Sequence, residues 1–138
     1  MPLPTSNPAT WAAVIEDNRE YPDTPHWNQW RLHMDSLLNE AIGAGYDQLF
    51  RAGKSMHQIL LSTLDHHGLK GEPRVTLSVT EDWKIKIEYS TASTYFNTPI
   101  HGEVVKSEAA FQTLTKYLQH LWTETVPEPI PEALRKPS

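Results

Sequence analysis

Between residues 75 and 89 the chain alternates apolar and polar side chains with a period of two: Val75, Leu77 and Val79 before a short polar interruption, Trp83, Ile85, Ile87 and Tyr89 after it. Such alternation puts every second side chain on one face of a strand, whereas a helix, turning about 100° per residue, would scatter them. Two alternating runs around a few turn-forming residues predict a β-hairpin over about 73–89. Opposed residues of an antiparallel pair share a face, so the turn must match apolar with apolar. A two-residue loop at Glu81-Asp82 would set Val79 against Lys84 and mix the faces. A three-residue loop, Thr80-Glu81-Asp82, opposes Val79 to Trp83, Leu77 to Ile85 and Val75 to Ile87, and sets Arg74 across from Glu88. The expected turn is that loop, with Asp82 in the left-handed conformation.

Helical patterns flank the hairpin. Asn7 and Pro8 read as the cap and first residue of a helix reaching about Arg19, with Trp11, Val14 and Ile15 as its stripe. After a turn at Tyr21-Pro22-Asp23, Thr24 and Pro25 open a second helix. Its Trp27, Trp30, Met34, Leu37 and Ala41 step by three and four onto one face, widened by Leu38 and Ile42, until Gly43-Ala44-Gly45 stops it. A short helix is expected over 46–52. A longer one, capped by Ser55 and ending at Gly68, would turn Met56, Ile59, Leu60 and Leu64 inward. Ile100 to Val105 reads as a third strand, and Ser107 as the cap of a last helix over 108–123 with Phe111, Leu114, Leu118, Leu121 and Trp122 inward. The fold class is α+β: N-terminal helices, a small antiparallel sheet built on the hairpin, and a C-terminal covering helix.

A chain of 138 residues suits one domain. That domain is expected over 8–126, between a flexible start at 1–7 and a flexible tail at 127–138, where Pro127, Pro129 and Pro131 remove backbone donors. The absence of cysteine excludes disulfides, iron–sulfur clusters and thiolate zinc sites. A formal charge of -5 gives no generic attraction to nucleic acid or anionic membrane, although protonating all seven histidines would reverse its sign. No apolar run approaches the roughly 20 residues that span a bilayer, and Met1-Pro2-Leu3-Pro4-Thr5 does not resemble a signal peptide, so a cytoplasmic location is expected.

Catalytic patterns are sparse. Gly53-Lys54-Ser55 ends like a phosphate-binding loop, but Gln48 stands where that loop needs its first glycine. Gly43-Ala44-Gly45 lacks the third glycine of a dinucleotide fingerprint for the same reason, and no Gly-x-Ser-x-Gly elbow exists. His26, His33 and Glu40 repeat every seven residues, about 10.5 Å apart along a helix, too far to share one metal ion. The His66-His67 pair, preceded by Asp65, suits as imidazolium the negative end of a helix, while His57, His101 and His120 are far apart in sequence. No catalytic residue, metal or cofactor is therefore expected.

Two functional readings remain. In the first, the chain is a non-catalytic protein-binding module, an inhibitor, an immunity or adaptor protein, or an assembly subunit, whose partner is another protein or a second copy of itself. Tyr95, Phe96 and His101 would contribute to its surface, because Tyr95 and Phe96 stand in an uncharged Ser/Thr-rich stretch that no core periodicity explains. In the second, the order of elements over 46–89 resembles a winged-helix DNA-binding regulator. The helix at 55–67 would offer His57, Gln58, Ser62 and Thr63 to base edges, and Lys84 and Lys86 on the hairpin would meet phosphates.

Overall fold

The structure is a computed structural model that describes residues 10–55, 57–63, 73–90 and 99–135. Helices α1 (Trp11–Asn18) and α2 (Pro25–Gly43) lead through a single 3₁₀ turn, Tyr46–Gln48, into five strands. These are β1 (Arg51–Ser55), β2 (Gln58–Ser62), β3 (Arg74–Val79), β4 (Ile85–Ser90) and β5 (Pro99–Val105). Helix α3 (Ser107–Thr125) and the short α4 (Glu132–Arg135) complete the chain. The strands form an open antiparallel sheet in chain order, β1-β2-β3-β4-β5. The architecture is the expected α+β one, with more sheet than the hairpin alone announced.

One face of that sheet carries the core. Cross-strand partners Ile59↔Leu77, Leu61↔Val75, Leu77↔Ile87 and Val75↔Tyr89 put these residues on a common side. All are buried in one cluster with Trp30, Met34, Leu38 and Ala41 of α2 and Leu114, Leu118 and Leu121 of α3. Both long helices show the predicted stripes at three- and four-residue spacing. Thr24 caps α2 through a bond from Trp27 N at 3.3 Å, with Pro25 at the first helical position, and Gly45 stops it at φ 88°.

The hairpin keeps the predicted faces but not the predicted register. Val79 opposes Ile85, Leu77 opposes Ile87, Val75 opposes Tyr89, and Arg74 opposes Ser90 rather than Glu88. Thr80 N donates to Lys84 O (2.9 Å) and Trp83 N to Thr80 O (3.0 Å), so the loop is Glu81-Asp82-Trp83. It is a three-residue loop moved one position along. A slide of two residues in pairing preserves the parity of every side chain, which is why the core survives the error. The left-handed residue is Trp83, at φ 62°, not Asp82. Asp82 instead accepts from the Thr80 hydroxyl at 2.6 Å, and Thr80 Oγ1 accepts from Lys84 N at 3.0 Å. A bulky residue in that region is strained; here the ring packs on His26 (5.4 Å) and His33 (6.0 Å) of α2, which holds it.

Four further expectations are corrected. Helix α1 starts at Trp11, capped by Thr10 Oγ1 accepting from Ala13 N at 3.1 Å, rather than at Pro8. Residues 46–52 supply one 3₁₀ turn and the first residues of β1, not a short helix. The helix expected over 55–67 gives way, where the segment is described, to strands: Ser55 ends β1 and residues 58–62 form β2, whose Ile59, Leu60 and Leu61 are all fully buried, while Met56 and Leu64 lie outside the described residues. A strand apolar on both faces loses its period-two signal and imitates a helix stripe. Ser107 is the first residue of α3 and not its cap, and its hydroxyl lies 2.6 Å from His33 Nδ1.

Residues 127–135, expected as part of a flexible tail, lie along α3. Leu134 is fully buried, Gln119 Nε2 donates to Leu134 O (2.7 Å), and Trp122 Nε1 donates to Glu128 O (3.1 Å). Because Leu77 and Ile85 are both fully buried in the roofed face, Leu77→Ala or Ile85→Ala should each cost about 2–5 kcal/mol in denaturant unfolding.

Candidate functional site

The polar interior of the fold is organised by Lys54, which lies on the helix side of β1 opposite Ile59. Its side chain is only 5% exposed, yet its three ammonium hydrogens all find acceptors. Nζ donates to Asp17 Oδ2 (2.7 Å), Asn18 Oδ1 (2.9 Å) and Tyr21 OH (2.5 Å). Asn18 passes the network on through Nδ2 to Asp35 Oδ1 at 2.8 Å. Burial pushes the Asp35 carboxyl up, and the Asn18 amide opposes that shift. A lysine between Gly53 and Ser55 gives no sign in the sequence of its burial.

Arg31 secures the same region from α2. Its guanidinium donates to the carbonyl oxygens of Asn18 (3.1 Å), Tyr21 (2.9 Å) and Pro22 (3.0 Å), closing the connection between α1 and α2. Tyr21 is thereby fixed beside Trp27, at a centroid distance of 4.4 Å, and Trp30, at 5.3 Å.

From Tyr21 a row of rings extends across the surface. His57, in the turn between β1 and β2, packs on Trp27 (4.8 Å) with Nδ1 3.2 Å from Tyr21 OH. His26 lies against Trp27 (5.1 Å) and Trp83 (5.4 Å), and Trp83 stacks on His33 (6.0 Å, 12° between planes). His33 then borders a shallow pocket of about 220 Å³ between α2, β4 and the start of α3. The floor is Leu37, Ile85 and Ala110, and the rim includes Leu32, which is 61% exposed. Trp27 and Trp83 are half-buried, while His26 and His57 are exposed. The row and the pocket form one continuous aromatic and apolar band along α2.

The residues singled out from sequence are dispersed. Tyr95 and Phe96 lie outside the described residues, as do His66 and His67. His101 is exposed on β5 opposite Tyr89, its ring 6.0 Å from that of His120. His120 packs edge-on against Tyr89 at 4.6 Å, and its Nε2 lies 3.6 Å from Glu124 Oε1. Of the proposed DNA contacts, His57 and Gln58 flank the β1–β2 turn and Ser62 is buried with its hydroxyl donating to Pro73 O (3.1 Å). Lys84 is paired with Asp82 (3.3 Å) and Lys86 with Glu88 (3.7 Å). No recognition helix gathers them, because the segment that should supply it is β2.

Among the described residues no group of three or more His, Asp or Glu is placed to hold a metal ion, and no helix is long and apolar enough to cross a membrane. Comparison with protein-family models, with curated proteins and with solved structures finds no match to this chain.

Lys54→Met should lower stability by about 1–3 kcal/mol in denaturant titrations, because it strands the buried Asn18 amide oxygen, whereas half-exposed Asp17 rehydrates. A pH effect follows from Tyr117, whose hydroxyl donates to Glu103 Oε2 at 3.0 Å. Burial first, then the Glu103 carboxylate, pushes this phenol up to about 12. The unfolded chain releases that proton near 10 while the folded chain keeps it, so stability should fall as pH rises from 10 towards 12. Urea midpoints on either side of pH 10 would show the decline, and Tyr117→Phe should blunt it.

Proposed function

We propose that this chain is a non-catalytic protein-binding module, of the kind that serves as an inhibitor, an immunity or adaptor protein, or an assembly subunit. The observation that carries this reading is the continuous band from His57 through Trp27, His26 and Trp83 to His33 and the Leu32 pocket. Half-buried tryptophans anchored on a rigid helix give large contact area with little side-chain freedom left to lose. An apolar pocket beside them offers a seat for a protruding partner side chain. Of the surface residues that sequence alone suggested, His57 belongs to this band. No observation favours DNA binding over this reading, since its recognition helix is replaced by a strand.

The experiment uses substitutions at exposed positions, so that folding is not at stake. Immobilised wild-type chain should retain a stoichiometric protein from a lysate of its native host. The double variant His26→Glu/Leu32→Glu should lose that protein at least tenfold while melting within a few degrees of wild type. Retention unchanged in the double variant, or no protein retained by the wild type, would refute the reading.

A further inference from the structure

The sheet ends at β5, which pairs with β4 on one side only. Hydrogen bonding across an antiparallel ladder alternates from residue to residue. The Thr80 N to Lys84 O bond sets the phase: in β4, Lys84, Lys86 and Glu88 turn their backbone groups toward β3, and Ile85, Ile87 and Tyr89 turn theirs toward β5. Their partners Val105, Glu103 and His101 therefore spend their backbone groups on β4. Gly102 and Val104 point theirs at the free edge. His101, Gly102 and Val104 are all exposed, Val104 at 51%, and among the described residues no strand pairs with this edge. Unpaired edges of this kind recruit another strand unless charge or cover prevents it.

The residue order along this edge is complementary to itself. Two copies related by a two-fold axis must set outward-facing residues opposite each other. An axis through position 103 would oppose Glu103 to Glu103, a like-charge pair. An axis through 104 would oppose Glu103 to Val105 and Gly102 to Lys106. An axis through Gly102 sets His101 against Glu103 of the second copy, a donor against a carboxylate. At the axis itself stands Gly102, where a Cβ would point to the sheet face beside Glu88 and not toward the second copy. Lys116 and Tyr117 already hold Glu103 from α3.

We propose that β5 is a self-pairing edge: two copies of this chain join antiparallel about Gly102, extending the five strands of each into one continuous sheet. This interface is separate from the aromatic band and does not rest on its assignment. Light scattering over a concentration series should show a dimer in the micromolar range. His101→Glu places carboxylate opposite carboxylate and should weaken the dimer at least tenfold, whereas His101→Lys should hold or tighten it, with both variants melting as the wild type does. The chain has no cysteine, so His101→Cys mixed with Glu103→Cys should give an oxidised cross-linked dimer in higher yield than either variant alone. His26→Glu/Leu32→Glu should leave the dimer intact. A strictly monomeric wild type would overturn the proposal, as would indifference to the sign of charge at position 101. Cross-linking of the single variants with themselves in preference to the mixture, or loss of the dimer in the aromatic-band variant, would overturn it equally.

Discussion

A sheet with its long helices on one side must keep the same parity from strand to strand, and here that parity is kept by Ile59 and Leu61, Val75 and Leu77, and Ile85, Ile87 and Tyr89. Each strand contributes alternate side chains to the layer beneath α2 and α3, and a slip of one residue in any strand would turn its apolar set away from the helices. Everything else in the molecule is arranged around that layer. The three-residue loop at 81–83 satisfies it although it requires a tryptophan in the left-handed region. Trp83 then leaves the strand and reaches α2, where it becomes part of the surface band.

Charge is admitted to the helix side of the sheet only where it is fully answered. Lys54 enters beneath α1 with three acceptors, and Glu103 enters beneath α3 with Lys116 and Tyr117. The two sites differ in depth. Lys54 is enclosed by Asp17, Asn18, Tyr21 and Trp30, so its removal exposes a defect in the interior. Glu103 is half-exposed and marks the margin where the sheet stops. Tyr89, near that margin, keeps a buried hydroxyl without a partner among the described residues, and its burial, then Glu124, holds the phenol above its usual value.

How much of this was legible in the sequence follows from local signals. The alternation at 75–89, the three- and four-residue steps of α2 and α3, and the Thr24-Pro25 and Gly43–Gly45 punctuation were all readable, because each records one element exposed on one side. Residues 51–62 were not. Buried Leu60 shares the second face with Gly53 and with polar Arg51, Gln58 and Ser62, while Lys54 shares the helix face with Ala52, Ile59 and Leu61, so each face mixes residue types and the period is broken. The hairpin register was read two residues out because Val, Ile and Trp satisfy either pairing equally well on faces alone. The candidate surface was almost invisible: Trp27, Trp83, His26 and His57 come from three separate segments, and only the packing of the β1–β2 turn and the hairpin loop against α2 unites them.

Arg31 has a consequence for the mechanics of that surface. Three backbone carbonyls converge on one planar guanidinium, a geometry that an ammonium on a flexible stem could not reproduce. The turn that carries Tyr21 is thus riveted to α2 rather than hinged, and Tyr21 is held in place beside Trp27 and Trp30. A surface prepared in advance surrenders little disorder when it meets a ligand, so recognition there would proceed by the fit of a fixed template and not by moulding around the guest.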